Sequence, residues 1–192
     1  MLDLQSRYFI RADLEYKCSN TLFGPTSPSR NVILADEFDA QRPMGGTTDA
    51  QRKLYFDPAG PQGNLGAQKW PVHFTEFNQY VNSIATNYSM SDYGRGDDTG
   101  NSSRAWAWFT LRYLRIMRAQ YKADYDKLGN DPCWRRLVLS TWGKINRYWA
   151  ELARENITKF QTGEATKLDA LIRDPRLTAE IENLRVLDGC RP

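Results

Sequence analysis

The amino-acid sequence predicts a mainly α-helical fold built on an antiparallel hairpin of two long helices. Apolar residues recur every three or four positions after residue 70, and a Gly-Asn-Asp-Pro sequence separates two long helical segments. Gly and Pro are frequent before residue 70. We therefore expect two parts, an irregular N-terminal arm over residues 1–70 and a helical domain over residues 71–192. A chain of 192 residues is long enough for one domain with a substantial core.

The arm shows few features of regular secondary structure. Gly and Pro recur in its segments GPTSPSR, RPMGG and FDPAGPQG, which are typical of turns and loops. Two apolar runs, residues 31–34 and 53–56, have the length of a β-strand. The pattern leaves two options open: the runs pair as a small β element, or they only anchor an extended arm.

The first helix of the domain is predicted after residue 71 and ends before residues 89–103, a loop rich in Gly, Ser and Asp. Its apolar residues are spaced by three and four positions, which places them on one helix face. These residues are Phe74, Phe77, Val81, Ile84 and Tyr88.

The hairpin covers residues 103–161. Ser102 or Ser103 is a suitable N-cap for its first helix, and Gly129 suits the left-handed position that ends it. Either of the two residues before Pro132 is expected to cap the second helix, with the proline in its first turn. Because the connection is so short, we expect the two helices to fold back on each other.

Two short helices are predicted after the hairpin. Thr166 is the expected N-cap of the first, with Asp169 three residues later as in a weak capping box. Pro175 interrupts the helical pattern, so we expect it to separate the two helices.

The hairpin is also the basic part of the chain. Residues 103–160 contain twelve Lys or Arg and five Asp or Glu, whereas the rest contains fourteen basic and eighteen acidic residues. On a helical wheel the basic residues cluster on one side of each helix, with a tryptophan among them. We predict that this basic face binds a partner subunit or nucleic acid through Arg104, Trp108, Arg115, Arg118, Lys122, Arg136, Arg147 and Arg154.

Each interpretation of the basic face has a physical basis. Arginine neutralises phosphates and indole rings stack on bases, which favours nucleic acid. The acidic segments of a neighbouring copy would suit the same surface. A simpler role is also open, because basic residues on an outer helix face often serve hydration or contacts within the chain.

The sequence contains little that suggests catalysis. The single histidine, His73, has no cysteine or second histidine near it, and the common phosphate-binding loops are absent. We expect no metal and no cofactor, because no cysteines have zinc-site spacing. The three cysteines are expected to be free thiols. A carboxylate-dependent hydrolase remains an alternative, with Asp92, Asp97 and Asp98 in the loop before the hairpin.

These observations favour a non-enzymatic structural or assembly protein over an enzyme. Aromatic residues make up 12% of the chain and are enriched at protein interfaces. We expect a homo-oligomer or larger assembly, specifically a multi-copy virion component of the coat, connector or neck type. A nucleic-acid-binding helical protein is the first alternative.

Two features of the sequence bear on where the protein is found. No apolar run approaches the ~20 residues that a membrane span requires. The N-terminal residues lack the apolar core of a secretory signal. We therefore expect the protein in the cytoplasm or within an assembled particle such as a virion.

Overall fold

A computed structural model describes residues 18, 20–89, 99–155, 160 and 162–190 of the chain. These residues form seven α-helices: α1 Thr47–Tyr55, α2 Trp70–Ser89, α3 Thr99–Gln120, α4 Lys122–Asn130, α5 Pro132–Arg154, α6 Gly163–Ile172 and α7 Pro175–Leu187. Four short 3-10 segments lie in the arm, at Asn20–Leu22, Arg30–Ala35, Asp39–Gln41 and Leu65–Ala67. The predicted mainly helical fold is confirmed.

The first arm of the hairpin is divided into α3 and α4, where the sequence predicts one helix. Tyr121 lies between them with φ −128° and ψ 50°, outside the helical range. The predicted left-handed conformation of Gly129 is wrong, because α4 continues through this residue to Asn130. Gly129 instead permits close packing, since a Cβ atom at this position would lie 2.9 Å from Cδ1 of Leu187.

The connection to α5 follows the predicted capping chemistry. The Asp131 carboxylate accepts hydrogen bonds from the backbone N–H groups of residues 133 and 134, at 2.8 and 3.1 Å, and Pro132 is the first residue of the helix. Near the end of α5, the Trp149 indole N–H donates to Ser103 Oγ near the start of α3, at 3.4 Å. The arms of the hairpin are therefore antiparallel, as predicted.

Helix α3 is the central helix. It packs against α1, α2, α4, α6 and α7 and against the 3-10 segment Arg30–Ala35. Small residues let these neighbours approach, since a Cβ atom on Gly100 would lie 3.1 Å from the Phe160 ring. Every residue of α3 from Gly100 to Leu114 is buried. A helix surrounded in this way has to place its polar side chains inside the protein, where they need partners.

Helix α2 lies between α3 and α5 and buries the predicted apolar stripe. Four of its five members are at most 1% exposed: Phe74, Phe77, Val81 and Ile84. Tyr88 differs, because it lies in the last turn of the helix and is 38% exposed.

The last two helices meet at Pro175 as predicted. Asp174 caps α7 by accepting from the backbone N–H of Arg176 at 2.9 Å. The predicted cap of α6 at Thr166 is wrong, because the helix begins one turn earlier. Its N-cap is Thr162, whose hydroxyl accepts from the backbone N–H of Ala165 at 3.1 Å.

The described part of the arm packs on the helices of its own chain. Its buried apolar residues belong to the same hydrophobic cluster as α2 and α3, and they include Phe23, Ile33, Phe38 and Phe56. The run 31–34 lies in the 3-10 segment Arg30–Ala35, and residues 53–55 form the end of α1, so neither run is an extended strand. An isolated bridge between Ser29 and Lys69 is the β-type pairing found in the described residues. A β element in residues 1–17 lies outside them.

A disulfide joins Cys18 of the arm to Cys133 in the first turn of α5, with the Cα atoms 5.4 Å apart. The predicted free thiol is therefore wrong for these two cysteines, while Cys190 is free and exposed. Disulfides are typical of oxidising compartments, and the location of the protein stays a prediction. Among the described helices, none is long and apolar enough to cross a membrane.

Candidate functional site

Two members of the predicted basic face lie in the protein interior. Trp108 is fully buried and Arg104 is 4% exposed. The Arg104 side chain donates from Nε to Asp169 at 2.8 Å, and from Nη1 to the carbonyl oxygens of Gly100 and Phe160. The face is therefore not one continuous surface.

Three further members lie at or near the surface, and each is paired with a carboxylate of the same chain. Arg118 donates to both oxygens of Glu180, whose side chain is fully buried. The other pairs are Arg115 with Glu37 at 2.9 Å and Lys122 with Asp126 at 2.6 Å. Lys122 also follows the break at Tyr121, so it does not continue the arc of α3.

The remaining three members are exposed on α5. Arg136 lies 3.4 Å from Asp188, and Arg154 lies 2.8 Å from Glu151. Arg147 has no ion-pair partner among the residues that the structure describes. It lines a cavity of about 470 Å³ between α2 and α5.

The environment of His73 suits a packing role rather than a catalytic one. The residue is fully buried, and its Nε2 lies 3.1 Å from Thr110 Oγ1. The rings of Trp106 and Tyr113 are 5.2 and 5.0 Å away. Burial lowers the pKa of His73 well below its usual value, so the ring stays neutral. Because the side chain is fully buried, it also has no contact with solvent through which a substrate could reach it.

The three carboxylates of the hydrolase alternative, Asp92, Asp97 and Asp98, lie outside the described residues. Within the part of the chain that is described, no three His, Cys, Asp or Glu side chains are placed to hold a metal ion.

A groove with a volume of about 510 Å³ runs between α5 on one side and α6 and α7 on the other. We refer to it as the α5–α6–α7 groove. Helix α5 lines it with one face, which carries Trp142, Asn146, Trp149, Ala150 and Ala153. The opposite wall includes Ala165, Asp169 and Ile172 of α6, Arg173 directly after that helix, and Thr178, Ile181 and Glu182 of α7.

Arg104 and Trp149 form the polar centre of the groove. The Arg104 guanidinium carbon lies 5.2 Å from the centre of the Trp149 ring, within the range of a cation–π contact. Its Nε and Nη1 atoms are used by Asp169 and the backbone, and no hydrogen bond from Nη2 is found within the described residues.

The charges at the edge of the groove are unequally paired. Glu182 accepts a hydrogen bond from Arg185 at 2.6 Å, whereas Arg173 has no ion pair in the described residues. Three alanines line the groove, so an approaching chain would meet little steric obstruction there. Aromatic and arginine side chains, both present in this groove, are enriched at protein-binding surfaces.

Sequence reasoning missed this groove. Trp142 and Trp149 are seven residues apart, a spacing that places them on one helix face and is visible in the sequence. The wall formed by Asp169 and Arg173 depends on how α6 packs, which no local pattern reveals.

Comparisons with known proteins identify no relative of this chain. No family model matches the chain, and neither a curated protein nor a solved structure is significantly similar to it.

Proposed function

We propose that the chain is a non-enzymatic assembly protein, present in several copies, that contacts a neighbouring chain through the α5–α6–α7 groove. The observation that supports this proposal is the open groove itself, with Trp142 and Trp149 in its lining. Apolar surface in contact with water raises the free energy of the protein, and covering it with another chain removes that cost.

A multi-copy virion component, of the coat, connector or neck type, is the specific form of this proposal. It rests on composition, namely the aromatic content and the division between a basic hairpin and an acidic remainder. Both features have explanations within the chain: four of the six tryptophans are fully buried, and several hairpin arginines are paired with the chain's own carboxylates. The proposal therefore rests on the groove and not on the basic face.

Light scattering tests the proposal directly. One copy has a mass of 22.2 kDa, and we expect the native particle to be a multiple of it. Ala150→Trp fills the groove and should return the mass to that of one copy. Ser140→Trp, at an exposed position of α5 outside the groove, is the matched control and should leave the mass unchanged. A wild-type protein that is monomeric at every concentration contradicts the proposal.

Nucleic-acid binding is the second candidate, favoured by the exposure of Arg136, Arg147 and Arg154 on α5. Their spacing of eleven and seven residues places them along one side of the helix. Arg136→Glu with Arg147→Glu should abolish salt-sensitive binding of DNA or RNA and leave the particle mass unchanged. Unchanged binding would exclude this face. Arg118 is a poor probe, because fully buried Glu180 depends on it.

The carboxylate-dependent hydrolase remains the third candidate, and no described residue supports it. Asp97→Asn and Asp98→Asn test it, because an enzyme of this class loses activity when its acid or base is neutralised. Activity that survives both changes excludes the proposed site.

A further inference from the structure

Helix α7 carries exposed apolar side chains beside the groove. Val186 is 64% exposed and Leu187 is 48% exposed. Ile181 and Glu182 of the same helix line the groove. Val186 follows Glu182 by four residues, so it extends the groove-lining face by one turn. A groove and an exposed apolar protrusion therefore lie side by side on one surface.

A surface with both features can pair with an identical surface. In a two-fold dimer every contact between two different residues occurs twice. If one residue of the first copy touches another residue of the second copy, the same two residues also touch with the copies exchanged. Each copy can then place its protrusion in the groove of the other. Association is favoured because Val186, which is 64% exposed, and the half-buried Trp149 lose contact with water.

The charges on this surface also complement themselves. Arg173 has no ion pair in the described residues, and Glu182 bonds only to Arg185 of its own helix there. A two-fold contact can form the Arg173–Glu182 pair twice, once from each copy. The C-terminal end of α7 carries the negative end of the helix dipole, which suits the positive charge of Arg173 in the groove.

We infer that the chain forms a two-fold dimer in which Val186 of each copy occupies the partner's α5–α6–α7 groove. In this dimer Arg173 pairs with Glu182 of the partner subunit. The inference rests on the proposed assembly function and identifies the occupant of the groove as a second copy of this chain.

The first test compares two exposed valines by measuring the dissociation constant from the concentration dependence of light scattering. Val186→Asp should weaken the dimer by about 100-fold, because it places a carboxylate in an apolar contact. Val72→Asp is the matched control, since Val72 is 41% exposed on α2, away from the groove. It should change the dissociation constant by less than about twofold. Circular dichroism verifies that both variants are folded.

The second test reverses the charges. Arg173→Glu and Glu182→Arg should each weaken the dimer by about tenfold, and the double variant should recover most of the loss. Equal effects of the two valine changes, or no recovery in the double variant, would overturn the two-fold arrangement. The assembly proposal survives that result if Ala150→Trp still dissociates the particle. A monomeric wild-type protein contradicts both.

Discussion

Two arginines on each arm of the hairpin lie in opposite environments. On α3, Arg104 and Arg112 are 4% and 0% exposed. On α5, the side chains of Arg136 and Arg154 are 71% and 69% exposed. The difference follows from packing, because α3 is surrounded by neighbours whereas α5 is covered on one side. Arg104 and Arg112 are therefore held by partners inside the protein, whereas Arg136 and Arg154 stay hydrated, and a charge count cannot distinguish the two pairs.

Arg112 shows how α3 accommodates a buried charge. Its Nε and Nη2 atoms donate to the two carboxylate oxygens of Asp36 at 2.9 and 2.7 Å, and Nη2 also donates to the carbonyl of Ile33. The guanidinium lies 4.3 Å from the centre of the Trp108 ring. The Arg112 and Asp36 side chains are 0% and 6% exposed, so removing one would leave the other buried without its partner.

The largest effect is therefore expected at this pair. Arg112→Leu should lower the free energy of unfolding by about 3–5 kcal/mol, because the Asp36 carboxylate loses its partner inside the protein. Urea denaturation measures the change. Arg136→Leu on α5 is the control and should cost less than about 1 kcal/mol. Similar losses in the two variants would remove the distinction between the arms.

The second-largest effect on stability is expected at the disulfide that joins α5 to the arm. Cys133→Ser opens a loop with a sequence separation of 115, and it should lower stability by about 2–4 kcal/mol. Thermal unfolding with and without a reducing agent measures the change, and reduced wild-type protein should match the variant. Cys190→Ser should leave the melting temperature unaltered, since that thiol is free. A variant as stable as the oxidised wild type would show that packing alone holds α5.

A smaller effect is expected from the pH dependence of stability, through the contact of His73 with α3. The folded state keeps this histidine neutral because burial lowers its pKa, whereas the unfolded chain binds a proton below about pH 6.5. The unfolded state then holds more protons, so stability present above pH 6.5 is lost as the pH falls. The slope should approach about 1.4 kcal/mol per pH unit, until the folded pKa is reached.

His73→Gln isolates this contribution, because the chain has one histidine. The difference in unfolding free energy between wild type and variant should narrow as the pH is lowered from 6.5 to 5. A constant difference would mean that the buried ring takes up a proton as readily as in the unfolded chain.

The smallest effect on stability is expected for an exposed arginine of α5. Arg147→Gln should change the free energy of unfolding by less than about 0.5 kcal/mol, because the residue is exposed and has no ion pair in the described residues. Urea denaturation of this variant and of Arg112→Leu compares the two losses of unfolding free energy. A loss above 1 kcal/mol would show that this face of α5 has structural contacts of its own.

Local chemistry explains which parts of the fold were predictable. Helix α2 follows from apolar spacing, the start of α5 from Asp131 and Pro132, and the division of the last helices from Pro175. Each of these signals acts over a few residues, so the sequence reports it directly.

The features that could not be predicted depend on residues far apart in the chain. The pairing of Cys18 with Cys133 and the burial of Arg104 arise only when separate segments meet. The groove was predictable only in part. The spacing of Trp142 and Trp149 on one helix face is visible in the sequence, but the second wall of the groove is not. For this chain, periodicity located the helices, and only tertiary packing showed which polar residues remain available for binding.

The Cys18–Cys133 bond also determines which part of the protein carries a mechanical load. A force that pulls the two ends apart passes through the disulfide, so the loop that contains α1 to α4 bears no tension. Helices α5, α6 and α7 would extend, while roughly 400 Å of contour length stays closed inside the loop. Reduction would release that length in a stretching experiment. The disulfide therefore shields the central helix α3 from a pull applied to the two ends of the oxidised chain.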